Sequence, residues 1–268
     1  MRTPEQLKHH YDVERELAER LRHSTREERR RLLPGLYDEL FKRIPDHPRL
    51  TVREAPAAAA AAVRTRLALL RPFLIEGGVF LEFAPGDCRL ALDLCRSARQ
   101  VYAVDLSQQS GELSDVPANF KFIAYDGFEL DLSSDSVDVA FSYMMIEHVH
   151  PDDVGPHLEL VRRLLKPGGV YVVATPHRFS GPHDISRNFS AVPQGLHLKE
   201  WTYAELQQAL ATAGFARTYP IRKSRVWQHA WINGLNQGLE SLIGVFPLRL
   251  RQRAASRLFE SVILAAVK

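Results

Sequence analysis

Short apolar runs alternate with amphipathic stretches through the middle of the chain. Five almost continuously apolar runs predict buried strands at Val79–Phe83, Val101–Asp105, Phe120–Ala124, Val137–Ser142 and Val170–Ala174. Helical spacing of apolar residues predicts helices near Cys88–Ser97 and Asp152–Leu165. Strands that are apolar on both faces and separated by helices are typical of a parallel sheet covered by helices on both sides. The pattern therefore predicts an α/β fold.

The first fifty residues follow a helical period instead. Thr3 with Gln6, and Ser24 with Glu27, match capping boxes, so each pair predicts the start of a helix. The second helix carries an apolar stripe that needs a surface to cover, formed by Leu32, Leu33, Leu36, Tyr37, Leu40 and Phe41. We therefore expect a helical cap in this region.

Two features follow the fifth predicted strand. Residues 175–201 are polar and rich in His, Arg and Pro, and long segments of this kind are often lids or binding loops. Phe215–Ile221 and Leu258–Val267 predict two further strands, separated by a helical insertion at residues 226–256. The predicted organisation has two parts, a helical cap over residues 1–55 and a larger domain over residues 56–268.

Composition narrows the class of protein. A hydrophobic content of 45% in 268 residues supports a sizeable core, and a formal net charge of +3 is too small to indicate nucleic-acid binding. The two cysteines, Cys88 and Cys95, do not suggest a disulfide framework. The sequence shows neither a secretory leader nor an apolar span, so we expect a cytoplasmic protein. Trp201, Trp227 and Trp231 are expected to pack in the core or at an interface.

A nucleoside site is predicted at the first two strands. The first strand carries Glu82 and leads into the tight turn Ala84-Pro85-Gly86, and the second strand ends in Asp105. A carboxylate about twenty residues beyond such a turn can accept hydrogen bonds from a ribose diol. Asp87 lies in the turn, where it would repel a pyrophosphate, so a nicotinamide dinucleotide is disfavoured.

Four blocks of sequence resemble those of the class I S-adenosylmethionine-dependent methyltransferases, in particular bacterial enzymes that O-methylate small molecules or glycans. In chain order they are LEFAPGDC, YAVDLS, IAYDGFEL followed by SVDVAFSYMMIEHV, and LVRRLLKPGGVYVVATP. The resemblance implies a Rossmann-like, doubly wound sheet of seven mostly parallel strands whose last strand is antiparallel. It also implies S-adenosylmethionine as cofactor and S-adenosylhomocysteine as product.

The resemblance further implies which residues hold the cofactor. These are Glu82, Ala84 and Gly86 at the methionine part, Asp105 and Leu106 at the ribose, Asp126 and Gly127 at the adenine, and Ser142 near the sulfonium. Ala84 and Cys88 stand where the family commonly has glycine. A turn that needs a positive φ at Ala84 would cost roughly 1 kcal/mol relative to glycine.

Candidate catalytic side chains follow the fourth and fifth strands, where open α/β sheets bind ligands. Methyl transfer to a hydroxyl requires alignment and a base. The candidates are Glu147, His148, His177, His183 and His197. For each of them a structural role in fixing its loop stays open, and His150 is expected to be structural.

A metal is a weaker expectation. Ubiquinone-pathway O-methyltransferases carry a similar E-x-x-E-H run that can hold a divalent cation, but Met144 replaces the first Glu here. We therefore assign no metal ligand. A site formed by His183, Asp184 and His197 stays an alternative.

We expect an enzyme that methylates a small molecule or glycan, with a hydroxyl oxygen as the favoured acceptor. One alternative is N- or carboxyl methylation, with Arg178 and Arg187 holding an anionic acceptor. Another is a regulatory subunit that binds S-adenosylmethionine without catalysis. Neither nucleic acid nor membrane is an expected partner, and a homodimer stays open. We also expect the cap and the segment 175–201 to close together over the acceptor.

Overall fold

The computed structural model describes residues 2–52, 55–106, 115–222, 224–259 and 261–268. The predicted cap also includes Met1, Arg53 and Glu54, and the predicted last strand includes Glu260, which lie outside the described residues. The strands are β1 (Val79–Phe83), β2 (Gln100–Asp105), β3 (Phe120–Ala124), β4 (Val137–Tyr143), β5 (Leu165–Pro176), β6 (Arg217–Arg222), β7 (Arg225–Val226) and β8 (Ser261–Val267).

These strands form one sheet in the order β3-β2-β1-β4-β5-β8-β6-β7. β1 pairs in parallel with β2 and with β4, so Glu82 lies beside Ala103 on one side and Phe141 on the other. The chain runs outward from β1 to β3 and then returns to β4 on the opposite side of β1. Such a reversal opens a crevice at the carboxyl ends of β1 and β4, where open α/β sheets bind ligands. The predicted doubly wound sheet is confirmed.

The far side of the sheet is antiparallel. β8 pairs antiparallel with both β5 and β6, which confirms the predicted orientation of the last strand. The expected count of seven strands is wrong, because the described residues form eight. The additional strand, β7, pairs with β6 through only two residues, too few to show a strand period in the sequence.

Helices cover both faces of the sheet. They are α1 (Pro4–Arg22), α2 (Arg26–Arg43), α3 (Pro48–Thr51), α4 (Pro56–Leu70), α5 (Arg89–Leu94), α6 (Pro151–Leu164), α7 (Tyr203–Thr212), α8 (Ala230–Gly244) and α9 (Leu248–Leu258). Residues of α6 and α7 share one apolar core with the sheet, and residues of α4 and α5 share the core on its other face. The described residues include no helix that is both long and apolar enough to cross a membrane.

The helices α1 and α2 begin with capping boxes. The predicted pair Thr3 and Gln6 is observed, but the second box is formed by Thr25 with Glu28, one residue beyond the predicted pair. The hydroxyl of Ser24 donates instead to the carbonyl of Leu21 at 2.7 Å, which leaves the capping position to Thr25.

A third apolar cluster joins these two helices to the segment 175–201. Leu17 and Leu21 of α1 and Leu36 and Leu40 of α2 pack there with Leu196. The apolar stripe of α2 thus covers part of the polar segment that follows β5. The predicted contact between the two regions is present in the structure.

Ion pairs fix α2 to the carboxyl edge of the sheet. Arg29 is buried, and its Nε and Nη2 atoms donate to the two carboxylate oxygens of Asp153 in α6 at 2.6 and 3.1 Å. The Nε atom of Arg30 donates to Asp126, just beyond β3, at 2.7 Å. The helix therefore lies over the edge at which β3 and β4 end.

Candidate functional site

The turn after β1 has the backbone of a glycine-rich loop with only one glycine. Ala84, Gly86 and Cys88 have φ values of 50°, 60° and 58°. A left-handed conformation costs a non-glycine residue about 1–2 kcal/mol. The positive φ expected at Ala84 is thus observed, and Cys88 takes the same conformation. The small side chains at these positions preserve a turn that a ligand can approach closely.

Glu82 lies in β1 just before this turn and is 2% exposed. Burial raises the pKa of its carboxyl group to about 8, although the charge of Arg66 opposes the shift. Among the described residues, its Oε2 atom has no hydrogen-bond partner. An orphaned buried carboxylate oxygen fits an ammonium group, such as that of an amino-acid moiety, because the positive charge would satisfy and ionise it.

Asp105 ends β2 at the same edge of the sheet. Its Oδ1 atom accepts a hydrogen bond from the backbone of Leu106 at 2.7 Å, which fixes the carboxylate at the strand end. The side chain is partly exposed. This is the position from which a carboxylate can accept hydrogen bonds from a ribose diol.

Asp126 and Gly127 follow β3, where α2 covers them. Oδ1 of Asp126 accepts the backbone N–H groups of Phe128 and Glu129 at 2.8 Å each. Its other oxygen accepts from Arg30, so both oxygens are engaged within the protein. Gly127 has a φ of 89°, and a Cβ atom there would lie 3.0 Å from Leu33 of α2. The predicted adenine edge is therefore also a contact surface for α2.

The structure places the side chain of Ser142 in the core. Its hydroxyl lies 2.6 Å from the hydroxyl of Tyr171, and both residues are fully buried. The residues at the end of β4 that line a cavity are Tyr143 and Met144. The hydroxyl of Ser142 therefore does not line this cavity, and the placement of Ser142 near the sulfonium stays a prediction.

A cavity of about 580 Å³ opens beside the end of β4. Four of the five candidate catalytic residues line it: Glu147, His148, His183 and His197. Glu147 and His148 belong to a 3₁₀ turn, Ile146–His148, that follows β4. His183 and His197 come from the segment 175–201, so the structure brings together two regions that the sequence separates by more than thirty residues.

Glu147 is buried at the base of this cavity. Its Oε2 atom accepts the hydroxyl of Thr175 at 2.9 Å, and its Oε1 atom has no partner among the described residues. Burial raises the pKa of this carboxyl group to about 7, with the charge of His197 acting in the opposite direction. The group can therefore gain or lose a proton near neutral pH.

His148 and His197 meet edge to face, with ring centroids 4.9 Å apart. Nδ1 of His148 lies 2.9 Å from the carbonyl of Leu196, and Nδ1 of His197 lies 2.9 Å from Oε1 of Glu200. Both partners are acceptors, so each Nδ1 carries the hydrogen and each Nε2 is left as the basic nitrogen.

The two imidazoles have opposite pKa shifts. Burial, reinforced by the charge of His197, lowers the pKa of His148 to about 3. Burial also lowers the pKa of His197, but its hydrogen bond to Glu200 and the charges of Glu147 and Asp184 outweigh burial and raise it above its ordinary value. His197 is consequently the stronger base of the pair.

Glu147, His148 and His197 each offer one ligand atom within 4.8 Å of the others. These three side chains could hold a divalent cation as well as act on a proton. Among the described residues, the alternative set of His183, Asp184 and His197 does not form such a group, and both oxygens of Asp184 accept backbone hydrogen bonds of the same segment, from Ser186 and Gly195.

The remaining histidines have structural contacts. His177 does not line the cavity; its Nε2 atom lies 2.8 Å from Glu240, and its ring stacks on Phe259 at 4.8 Å. Nε2 of His183 lies 3.0 Å from the hydroxyl of Ser180, and its backbone N–H donates to Glu200. His150 accepts a hydrogen bond at the start of α6, as its expected structural role requires.

The polar cavity residues of the N-terminal region were missed because they lie far away in the sequence; they are Glu14, Tyr37, His47 and Arg49. Glu14 carried a signal that could have found it, because a carboxylate on the buried stripe of α1 needs a partner. That partner is His10, whose Nε2 lies 2.7 Å from it.

The two arginines expected to hold an anionic acceptor lie elsewhere. Arg178 pairs with Glu205 at 2.7 Å and does not line this cavity, and Arg187 is exposed in the 3₁₀ turn Ile185–Asn188. Arg49 is the arginine that lines this cavity.

Comparison with known proteins gives one consistent family. Residues 81–173 match the family described as "Methyltransferase domain". Over 89 residues the chain is 39% identical to a "Probable S-adenosylmethionine-dependent methyltransferase" of Mycolicibacterium smegmatis, a match that covers 32% of each protein. The chain therefore spans about a third of the length of this curated relative.

Solved structures show the same fold at low sequence identity. Phosphoethanolamine N-methyltransferase 2 of Haemonchus contortus, in complex with S-adenosyl-L-methionine, aligns at a TM-score of 0.54 and 17% identity over 76% of this chain and 52% of that chain. A chain of a Haloferax volcanii complex between a methyltransferase and its activator aligns at 0.53 and 21% identity over 79% of this chain and 94% of that one.

Proposed function

The chain belongs to the class I S-adenosylmethionine-dependent methyltransferases, and from that premise we propose that it transfers a methyl group to a hydroxyl oxygen of a small molecule or glycan. The contact between His197 and Glu200, beside the cavity at the end of β4, is the reason for proposing oxygen as the acceptor atom. A histidine whose Nδ1 is held by a carboxylate presents its Nε2 as a base, which a hydroxyl acceptor requires.

The cofactor half of the site consists of Glu82, the turn Ala84–Gly86, Asp105 with Leu106, and the backbone at Gly127. S-adenosylmethionine supplies an electrophilic methyl group when bound. The Oε2 atom of Glu82, which has no partner among the described residues, can accept a hydrogen bond from the ammonium group of the methionine part, and the carboxylate of Asp105 at the end of β2 can accept hydrogen bonds from a ribose diol. These residues suit a cofactor that has no pyrophosphate, and the carboxylate of Asp87 in the turn would repel a pyrophosphate group.

The acceptor half of the site consists of His197, Glu200, Glu147 and His148, and its task is to remove the proton of the acceptor hydroxyl. His197 takes the hydroxyl proton at Nε2, and Glu200 stabilises the imidazolium that forms. Glu147, with a pKa near 7, and His148 lie beside it and shape the electrostatics of the cavity. His148 remains neutral, because burial opposes its protonation.

Residues 1–55 are proposed to act as a cap that closes the acceptor half together with the segment 175–201. Arg22 donates to the backbone carbonyls of Gln194 and Gly195 at 3.2 Å each. Oε2 of Glu14 accepts the N–H of Leu196 at 3.4 Å. These contacts support a closed arrangement that excludes water and strengthens the electrostatics of transfer.

A second candidate is methylation of an acceptor that carries an anionic group. Arg49 lines the cavity and could pair with a carboxylate or phosphate of the acceptor. Arg49 would select an acceptor by its charge and would not determine which atom is methylated. Such an acceptor could be methylated on a hydroxyl oxygen, a nitrogen or a carboxylate.

The test supplies methyl-labelled S-adenosylmethionine with a panel of sugars, phenols, amines and carboxylic acids, and weighs the products by mass spectrometry. Labelled ether products that depend on His197 support the proposal. Labelled amines or esters in their place favour the second candidate. Tight binding of S-adenosylhomocysteine without any labelled product would favour a regulatory subunit. A loss of turnover with EDTA that Mg²⁺ restores would assign the Glu147, His148 and His197 group to a cation.

A further inference from the structure

The helices α8 and α9 present an unusual surface. Glu240 and Asn236, two polar residues of α8, are buried together with Ile232 and Ile243, whereas three of its large apolar residues, Trp231, Leu235 and Leu242, are exposed. Trp231 is 63% exposed, Leu242 is 59% exposed, and Val245, just beyond the helix, is 78% exposed. Trp201 packs in the core as expected, whereas Trp227 and Trp231 do not, so for these two residues the expected packing at an interface stays a prediction.

The inward polar residues have a structural explanation. Glu240 accepts backbone N–H groups at the start of α7, from Tyr203 and from Ala204, the latter at 3.0 Å, in addition to its contact with His177. These bonds fix which face of α8 is turned toward the protein. The opposite face is therefore held outward by the fold.

The outward residues form a continuous stripe. Trp231, Leu235 and Leu242 recur at spacings of four and seven residues, which places them within about 40° of one another around a helix of 3.6 residues per turn. Gly238 lies on the same stripe, and a Cβ atom there would meet nothing within 4 Å. Phe246 and Leu250 extend the exposed apolar surface toward and into α9.

Arginines are frequent in the segment that carries this stripe. The described residues 225–259 contain Arg225, Arg249, Arg251, Arg253 and Arg257 and one acidic residue, Glu240, which is buried; Glu260, the next residue along the chain, lies outside the described residues. Arg249, Arg253 and Arg257 recur every fourth residue on α9 and are exposed. None of these three forms an ion pair within the described part of the chain.

We propose that the surface formed by α8 and α9 docks on an anionic lipid bilayer. Helices that lie in a membrane interface are typically rich in exposed tryptophan, leucine and arginine. Their apolar side chains enter the boundary of the acyl chains, and their cationic side chains contact anionic headgroups. A second copy of this chain is a poorer occupant, because a two-fold contact would bring two arginine-rich surfaces together. The proposal does not depend on the methyl acceptor.

The surface also adjoins the acceptor half of the site. Leu248 and Arg251 line a cavity of about 360 Å³ together with Lys199 and Glu200, and Glu200 is the residue that holds His197. Docking through α8 and α9 would therefore bring that side of the acceptor region close to the bilayer.

Vesicle co-sedimentation of the 268-residue chain tests the proposal. We expect binding to vesicles made of equal parts of phosphatidylglycerol and phosphatidylcholine, weak binding to phosphatidylcholine alone, and release at high salt because exposed charges are screened. Binding should shift tryptophan emission to shorter wavelength, since Trp227 and Trp231 are exposed in the free protein.

Two variants and one control sharpen the test. Replacing Arg249, Arg253 and Arg257 with Gln should lower the vesicle partition coefficient by about fivefold per arginine. The pair Trp231→Ser and Leu242→Ser should lower it at least tenfold. The matched control replaces Arg64, Arg96 and Arg99 with Gln, the same charge change outside these helices, and should have a much smaller effect.

Thermal melts establish that each variant is folded before vesicles are added. Three results would overturn the proposal: no binding of the folded wild-type protein to anionic vesicles, equal losses in the α9 variant and its control, or a dimer in light scattering that the Trp231→Ser and Leu242→Ser pair dissociates. The last result would assign the surface to a second copy of the chain.

Discussion

The cofactor half and the acceptor half of the carboxyl edge are built in different ways. Every residue proposed to hold the cofactor lies at the end of β1, β2 or β3 or within a few residues beyond it, in chain order. The acceptor cavity instead combines Glu14 and Arg49 of the N-terminal region, Glu147 after β4, and His197 of the segment after β5. One half is a set of local turns, and the other exists only once distant segments pack together.

This difference has an energetic counterpart. The cofactor half stores its strain locally, in left-handed residues such as Ala84 and Cys88. The acceptor half depends on long-range contacts, among them the buried ion pair between Arg29 and Asp153. Substitutions should therefore affect the two halves separately. His197→Ala tests that separation directly, and the other substitutions test the contacts on which each half depends.

The largest effect is expected for His197→Ala. Loss of the base should lower turnover by ~10²–10⁴-fold while the affinity for S-adenosylhomocysteine stays nearly unchanged, because the residue belongs to the acceptor half alone. Steady-state kinetics and calorimetry measure the two quantities. The control is His9→Ala, an exposed histidine of α1 whose loss should leave turnover intact. Full activity of the His197 variant would mean that the base lies elsewhere.

Arg29→Ala should lower the free energy of unfolding by about 3 kcal/mol, because it leaves the buried carboxylate of Asp153 without its partner. Denaturant titration measures this change. The control Arg31→Ala breaks an exposed pair with Glu27 and should change stability by less than about 0.5 kcal/mol. Similar losses in both variants would show that the buried pair does not fix α2 to the sheet.

Glu200→Gln should move the pH dependence of turnover. The base acts when His197 is unprotonated, so turnover rises as pH increases through its raised pKa. Removing the charge of Glu200 lowers that pKa, and the acid limb of the profile should shift to lower pH. An acid limb at the same pH in both proteins would exclude His197 as the group that titrates.

More of the fold than of the candidate site could be predicted from the sequence. Apolar runs located β1 and β3 at their observed bounds. β1 is buried along its whole length and therefore has to be apolar on both faces, whereas β3 is the edge strand and, of its residues, Phe120 is buried. The two-residue β7 lacked such a signal, and the helical insertion expected at residues 226–256 is divided into α8 and α9. Glu147, His148 and His197 were identified as chemical candidates, but no sequence pattern could show that His177 turns away to Glu240 while Arg49 enters the cavity.

The smallest effect is expected for Ala84→Gly. Relief of the left-handed conformation should raise the free energy of unfolding by up to about 1 kcal/mol, part of which is offset by the greater freedom of glycine in the unfolded chain. Ala61→Gly, in the exposed middle of α4, should instead lower it by about 1 kcal/mol. Destabilisation by both changes would contradict the account of the turn.

Calorimetric titration with S-adenosylhomocysteine tests the central claim most directly, that the turns after β1 and β2 form a nucleoside site of this family. We predict binding by the wild-type protein, a loss of about 1–3 kcal/mol of binding free energy in Asp105→Ala, and no binding of NAD⁺. A folded wild-type protein that does not bind S-adenosylhomocysteine, or an Asp105→Ala variant with unchanged affinity, would contradict it.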